Sequence, residues 1–524
     1  MSRPVSRGYL VAAIGVFAVS LALYVPTLLP DVATWDTAEF QTIGPVLGIA
    51  HPTGYPSYTL LAWLASVLLQ PFGNEAYRAD LLSALLMAGA AALAAVATIQ
   101  ITRRWPLGIV AGLVFAVTPI GWRVATRADA HALHVFLAAL LLVLVVEWGR
   151  RQRSGDGRHA GRWLIAAAIV YGLSLGNHAL TLLLAPGIAA FVLLVAPRIL
   201  WQQWRLVLGC FAATLTVTVA VYAYLPVRSA MDPPLDYADP ETWESFWYVV
   251  LGQQFQGMFR PLAPFLDIVS SVWDELVRNL GLVAILVPAG AVLGAIRHPR
   301  VMALTGLWFV CSWVFALGYA NASIERYYLV PLLAAAIWVA LAAEVVWEAL
   351  HRAVPTSKAT PVASVPLRWS RGGGARTWLV AGLVAVLLGL ALLPVPGRRG
   401  AMDTAGETFG RRWLEATFAA LEPDAAVISW WSYSTPLWYG RWVEGRREDI
   451  VIVDDRDVLD DGFGRAENAI DHFLPLRPVY VIRRDQDLPA LAQRYVLERV
   501  GSVPDPGALY RVIGPRGMAS AQPA

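Results

Sequence analysis

Charge is scarce in this sequence. Of 524 residues only 15% are Asp, Glu, Lys or Arg, while 57% are hydrophobic; a soluble domain carries about 25% charged residues. The deficit excludes an ordinary water-soluble fold and argues for lipid as the solvent. Lysine is almost missing, with Lys358 alone among arginines. The net charge is only +3, and the basic residues sit in short loops rather than on one face, which excludes a nucleic-acid reader. Cysteine is limited to Cys210 and Cys311, both inside apolar runs. Two buried thiols supply neither a disulfide framework nor a zinc site. Internal repeats and heptads are lacking, as is any glycine-rich loop that would cradle a nucleotide.

What is present is a series of apolar runs long enough to span a bilayer core of ~30 Å. They predict an α-helical polytopic membrane protein of about eleven transmembrane helices, near 9–29, 79–101, 106–120, 131–148, 163–176, 179–197, 205–226, 279–297, 302–320, 327–349 and 377–394. The first run is too long for a signal-peptide core and lacks an Ala-x-Ala site, so it reads as a retained helix. The segment 57–70 is apolar but short, and fits an interfacial or partly embedded helix.

Arginine placement gives the orientation. With the N-terminus inside, the cytoplasmic loops hold Arg103 and Arg104, then Arg150, Arg151, Arg153, Arg158 and Arg162, then Arg198 and Arg205, then Arg297 and Arg300, and last Arg352 to Arg376. The first outer loop, 30–56, has no Lys or Arg and carries Asp31, Asp36 and Glu39. A second outer connection covers 227–278. An odd number of spans puts the C-terminus outside. The membrane domain thus covers 1–350, followed by a cytoplasmic linker at 351–376, a last span at 377–394 and a small extracytoplasmic α/β domain at 402–515. In that domain strand-length runs at Ala425–Trp431, Ile450–Asp454, Val479–Ile482 and Leu509–Ile513 alternate with helical patterns such as Thr404–Leu421.

The sharpest chemical constellation is Trp35-Asp36-Thr37-Ala38-Glu39-Phe40, followed by His51-Pro52-Thr53-Gly54-Tyr55-Pro56. Asp36 and Glu39 are three apart, on one face of a helix. A carboxylate at a membrane surface can be partly desolvated, which suits a general base. Asp129, His178, Arg228 and Arg326 fall on the same outer side. Each also has an ordinary structural use: Asp36 and Asp129 as helix caps, His178 as a satisfied junction residue, Arg228 as a snorkelling side chain, and Arg326 as the partner of Glu325. The acidic run Asp454-Asp455-Arg456-Asp457 could hold a metal at a strand end or be a solvated loop. A transporter or flippase of a lipid-linked glycan is the competing class. It would need charged groups near the bilayer midplane, and the helix interiors here hold almost none.

These motifs, in order, resemble the O-mannosyltransferase-like membrane proteins of the GT-C glycosyltransferase superfamily. The resemblance covers most of residues 20–350. Trp35 to Phe40 is similar to the family's first-loop Trp-Asp-Ser/Thr-x-Glu-Phe, and His51 to Pro56 to its His-Pro-Pro-Gly-x-Pro. Gly172 to His178, Tyr224-Leu225-Pro226-Val227-Arg228 and Tyr327-Tyr328-Leu329 look like later signatures. Two positions depart: Thr53 replaces a proline, and Asp129 stands where the family tends to have Glu, with His131 at an aromatic position.

The resemblance implies a GT-C-like fold and an integral membrane glycosyltransferase. A sugar, with mannose the best-known case, would pass from a polyprenyl-phosphate carrier to an extracytoplasmic acceptor, a protein hydroxyl or a glycan, with inversion. Asp36 would be the base, with Glu39 and Asp129 in the catalytic group. His51, His178, Arg228 and Arg326 would bind donor phosphate or substrate. The ligand spacing demands no metal, although it leaves room for a divalent one. The high arginine and near absence of lysine fit a GC-rich genome; the expected location is a prokaryotic plasma membrane with the active site on its outer face, an organelle lumen being the alternative.

Overall fold

The computed structural model describes residues 3–155, 157–321, 323–353, 371–456 and 462–516. Lys358, most of the linker 351–376, Asp457, Asp460 and Asp461 lie outside them.

The centre of the bundle is the helix Glu75–Thr102. Asn74 starts it by accepting from the Tyr77 N–H at 2.9 Å, which satisfies one of the amides a helix start leaves unpaired. It packs against Arg3–Tyr24, Trp105–Ala116 and Ala130–Arg153. Ten of its 28 residues are alanines rather than long side chains, so the backbones approach closely. A Cβ at Gly112 would lie 2.7 Å from the Ala91 carbonyl oxygen, which shows how near the next helix comes.

Among the described residues eight helices are long and apolar enough to cross a membrane: Gly8–Thr27, Glu75–Thr102, Ala130–Arg153, Trp204–Ser229, Phe265–Arg297, Pro299–Leu317, Ile324–Ala353 and Thr377–Met402. A ninth span would be Trp105–Ala116 with Pro119–Ala125, which meet at a 72° bend. Pro119 cannot continue the first helix, and Thr118 caps the second by accepting from the Gly121 N–H at 3.3 Å. The expected runs 163–176 and 179–197 fall on Gly157–Leu175 and on the short Ala179–Val195. Pro56–Leu68 is likewise a short apolar helix. The connection 227–278 is more ordered than a loop. It holds Trp243–Val250 and Phe265–Leu280, the latter joined to Leu286–Arg297 through a turn at Gly281.

The two ends of the bundle differ in charge. Ala130–Arg153 begins at Asp129 and ends at Arg150 and Arg151, which pair with Glu147 at 2.5 and 2.6 Å. At 1.5 Å per residue these ends are about 36 Å apart. At the arginine end Arg104 and Arg297 meet Glu348 at 3.5 and 3.2 Å.

The C-terminal lobe is a five-stranded mixed sheet. Its strands are β1 (Ala426–Ser429), β2 (Val451–Val453), β3 (Val479–Ile482), β4 (Tyr495–Arg499) and β5 (Tyr510–Pro515), in the order β2-β1-β3-β5-β4. β1 runs parallel to β2 and β3, while β5 is antiparallel to β3 and β4. β4 was not foreseen. It is an edge strand whose last residues, Glu498 and Arg499, are exposed, and charge at an edge blurs the apolar signal of a strand. The lobe is fastened to the acidic loop. Arg411 holds Asp31 bidentately at 2.7 and 2.9 Å, and the Thr404 hydroxyl donates to the Thr27 carbonyl at 2.8 Å. Gly410 sits so close to Val32 that a Cβ there would be 2.2 Å from its carbonyl oxygen.

Candidate active site

Asp36 lies in the first turn of the helix Trp35–Val46 rather than at its cap, which is Thr34. Asp129 does cap its helix, accepting from the His131 N–H at 2.8 Å. Arg326 comes from the turn Ile324–Tyr328 and joins the two. Its Nη2 donates to Asp36 Oδ2 at 2.9 Å and its Nη1 to Asp129 Oδ2 at 3.2 Å. Its Nε is buried and has no protein partner. The other oxygen of Asp36 accepts from the indole N–H of Trp431 at 3.3 Å, a contact from the C-terminal lobe.

Glu39, one helical turn beyond Asp36, is fully buried. It takes the backbone N–H of His51 at 2.8 Å and the His51 Nδ1 at 2.5 Å. It therefore orients His51 and does not line the cavity described below. The Tyr55 hydroxyl lies 3.2 Å from His51 Nε2. His178 is buried at the start of the Ala179–Leu184 turn, where its Nδ1 accepts from the Leu180 N–H at 3.1 Å. Its ring centre is 4.9 Å from that of His131.

The electrostatics follow from this pairing. Burial is the largest influence on Asp36 and pushes its carboxyl up, but His51 and Arg326 outweigh it and hold the group below the ordinary carboxylate value. Asp129 behaves alike: burial raises it, and Arg326 with His131 more than reverses that. Burial pushes His51 down, yet Glu39 leaves it raised. His178 has no such carboxylate, so burial, with His131 and His134 beside it, takes it well below the ordinary imidazole value.

Asp36, His51, His131, His178 and Arg326 border one cavity of about 250 Å³. Its lining also includes the apolar side chains of Leu182, Leu251, Phe259 and Phe315, of which Leu182, Leu251 and Phe259 are more than half exposed. The lining thus combines charged and polar groups with apolar ones.

Arg228 does not join this cluster. Its Nε and Nη2 donate to the carbonyls of Leu47 and Val46 at 2.8 and 3.1 Å, closing the end of the Trp35–Val46 helix. Among the described residues no group of three or more His, Cys, Asp or Glu could hold a metal ion. Where a cation would neutralise Asp36 and Asp129, the Arg326 guanidinium already stands. In the acidic run, Asp454 pairs with Arg456 at 3.2 Å and Asp455 with Arg483 at 2.5 Å.

Residues 36–200 match the family model described as the Protein O-mannosyl-transferase TMEM260 N-terminal domain. Over these residues the chain is similar to that family. It is similar to the mouse Protein O-mannosyl-transferase TMEM260, at 31% identity over 233 residues, 43% of this chain and 31% of the relative. The Dictyostelium discoideum protein O-mannosyl-transferase tmem260 is 22% identical over 173 residues, 31% of this chain and 21% of that one. The matched part is therefore under a third of these curated relatives' length. In fold the chain is similar to ArnT from Cupriavidus metallidurans bound to undecaprenyl phosphate, with a TM-score of 0.56 and 15% identity over 96% of this chain and 97% of the other. It is also similar to the archaeal oligosaccharyltransferase AglB from Archaeoglobus fulgidus, in complex with an inhibitory peptide and a dolichol-phosphate, with a TM-score of 0.55 and 13% identity over 97% and 74%.

Two contributors to this site carry little signal in the sequence. Trp431 lies 395 residues from Asp36, and no local pattern announces so distant a contact. His131 was visible only as a departure from the family's aromatic position.

Proposed function

We propose that this chain transfers a sugar from a polyprenyl-phosphate carrier to a hydroxyl acceptor, with Asp36 as the base. The observation that carries the reading is Arg326. It is clamped between Asp36 and Asp129 beside a cavity that also has an apolar lining, and its Nε–H is left without a protein partner. A phosphate linked to a hydrocarbon tail has the matching shape and charge: its oxygen accepts from Nε–H, and its tail lies along Leu182, Leu251 and Phe259. The structural neighbours solved with undecaprenyl phosphate and dolichol-phosphate support this ligand class.

In the proposed step the acceptor oxygen forms a bond to the anomeric carbon as the bond from that carbon to the phosphate oxygen breaks. The electron pair leaves with the phosphate, and the hydroxyl proton goes to Asp36. Attack opposite the leaving group inverts the anomeric centre. Arg326 stabilises the charge gathering on the phosphate. As the guanidinium turns part of its charge to the phosphate, Asp36 regains basicity, so donor binding prepares the base. His51, held by Glu39, lines the acceptor side. The acceptor we propose is a protein hydroxyl, and the sugar mannose, by likeness to the named relatives.

The basic ends of the helices, opposite the site, support an orientation with the site on the non-cytoplasmic face. We place the C-terminal lobe on that face too, since it contacts Asp36 and Asp31, and we read eleven spans with the shorter apolar helices counted. We read that membrane as a prokaryotic plasma membrane.

The test is Asp36→Asn in purified protein, assayed with undecaprenyl-phosphate-mannose and a Thr-containing peptide. Transfer should fall at least about a hundredfold while binding of undecaprenyl phosphate persists. Transfer at the wild-type rate would overturn the assignment.

A further inference from the structure

His131 and His178 stand side by side on the cavity wall with opposite hydrogen-bonding faces. His131 Nδ1 is 2.8 Å from Asp129 Oδ1. An ionised carboxylate only accepts, so Nδ1 carries a proton, and in the neutral ring Nε2 carries the lone pair. That Nε2 is buried and has no protein partner. His178 is the reverse. Its Nδ1 accepts the Leu180 N–H, so the neutral ring carries its proton on Nε2. Burial favours the neutral form. The result is one acceptor and one donor with ring centres 4.9 Å apart, flanked by the rings of Tyr327 and Tyr55 at 5.3 and 5.6 Å.

We propose that His131 and His178 form a hydroxyl-reading pair for the donor sugar, His131 Nε2 accepting from one sugar hydroxyl and His178 Nε2–H donating to another. A sugar hydroxyl both gives and takes a hydrogen bond, and neighbouring hydroxyls on one ring meet an adjacent acceptor and donor together. The donor sugar, rather than the acceptor, is the occupant because of the position of the pair. His131 is bonded to the same Asp129 that holds Arg326, and the sugar is the group bonded directly to the phosphate that Arg326 takes. Tyr327 and Tyr55 supply the apolar faces a sugar ring packs on. An unpaired buried acceptor also discriminates strongly, because a ligand without the matching hydroxyl leaves it unsatisfied.

This inference rests on the transferase reading, and the experiment separates the two. Binding of undecaprenyl phosphate and of undecaprenyl-phosphate-mannose is measured on the full-length wild type, His131→Phe, His178→Phe and His131→Gln. The wild type is expected to bind the mannose-bearing lipid more tightly. Each Phe variant should lose about tenfold of that preference and keep its affinity for undecaprenyl phosphate, which also shows that it is folded. His131→Gln, which retains an amide acceptor, should recover part of the loss. Failure of the wild type to bind either lipid overturns the transferase reading itself. Binding of both lipids with no sugar preference, or a preference that survives both Phe substitutions, overturns the pair alone. So does an equal loss for both lipids.

Discussion

Arg326 holds Asp36 and Asp129 in one grip, 2.9 Å from the first and 3.2 Å from the second. All three side chains are largely shielded from water. Within the site this guanidinium is the common partner of two carboxylates that sequence places 93 positions apart.

Removing it should therefore do more than weaken phosphate binding. Arg326→Gln leaves two carboxylates facing each other with no cation between them, which costs roughly 3–5 kcal/mol of stability. It also removes one of the two cations that restrain Asp36, leaving His51 as the other. A carboxyl held below its ordinary value stays ionised until the pH falls through that lowered value. The acid limb of wild-type transfer should lie below the ordinary Asp value, about 3.9. In Arg326→Gln the limb should move toward neutral pH, as a pH–rate profile would show.

His51 gives the opposite sign. Glu39 keeps it raised against burial, so its charged form stabilises the fold. That contribution is complete below the unfolded imidazole value of about 6.5 and is lost as pH rises through the folded value. Melting temperature should decline on the alkaline side of neutrality. Glu39→Gln should flatten that decline and lower stability at pH 6; an unchanged slope would contradict the pairing.

Arg228 should behave as a structural residue. Arg228→Ala frees the carbonyls of Val46 and Leu47, a loss of about 1–3 kcal/mol for hydrogen bonds from a charged donor. The melting temperature should drop, and affinity for undecaprenyl phosphate should not. A selective loss of lipid binding would restore the phosphate role that its sequence motif suggested.

Gly410 tests the seat of the C-terminal lobe. Ala at this position places a Cβ 2.2 Å from the Val32 carbonyl oxygen, and backbone cannot yield as a flexible side chain does. Gly410→Ala should loosen the lobe, make the segment near 403–408 more sensitive to protease, and lower transfer by disturbing the Trp431 contact. Trp431→Phe should lower transfer by up to about tenfold through loss of its N–H to Asp36, with the lobe still protected.

The acidic loop was legible because its residues are close in sequence. Asp36, Glu39 and His51 fall within sixteen positions, and the helix period predicted the face that Asp36 and Glu39 share. The role of each was less legible. Asp36 and Glu39 look equivalent on paper, yet one faces the cavity and the other is sealed behind His51. Arg228 and Arg326 also look alike, both being arginines at an apolar boundary. What separates them is whether the nearest unsatisfied oxygens belong to a helix end or to side chains, which only tertiary packing decides. The span count differs for a related reason. Hydropathy registers the apolar stretches 106–120 and 179–197, while the first is bent by 72° before Pro119 and the second forms only the short Ala179–Val195.

The contact between Trp431 and Asp36 has a bearing on biogenesis. A ribosome makes Asp36 early and Trp431 some four hundred residues later, so a nascent chain already inserted in the bilayer still lacks one donor to its key carboxylate. On the proposed function and orientation, the protein matures as a catalyst only after its last quarter has been delivered to the side of the membrane that holds Asp36 and has folded there. Truncated or stalled products would be held in the membrane with an unfinished centre.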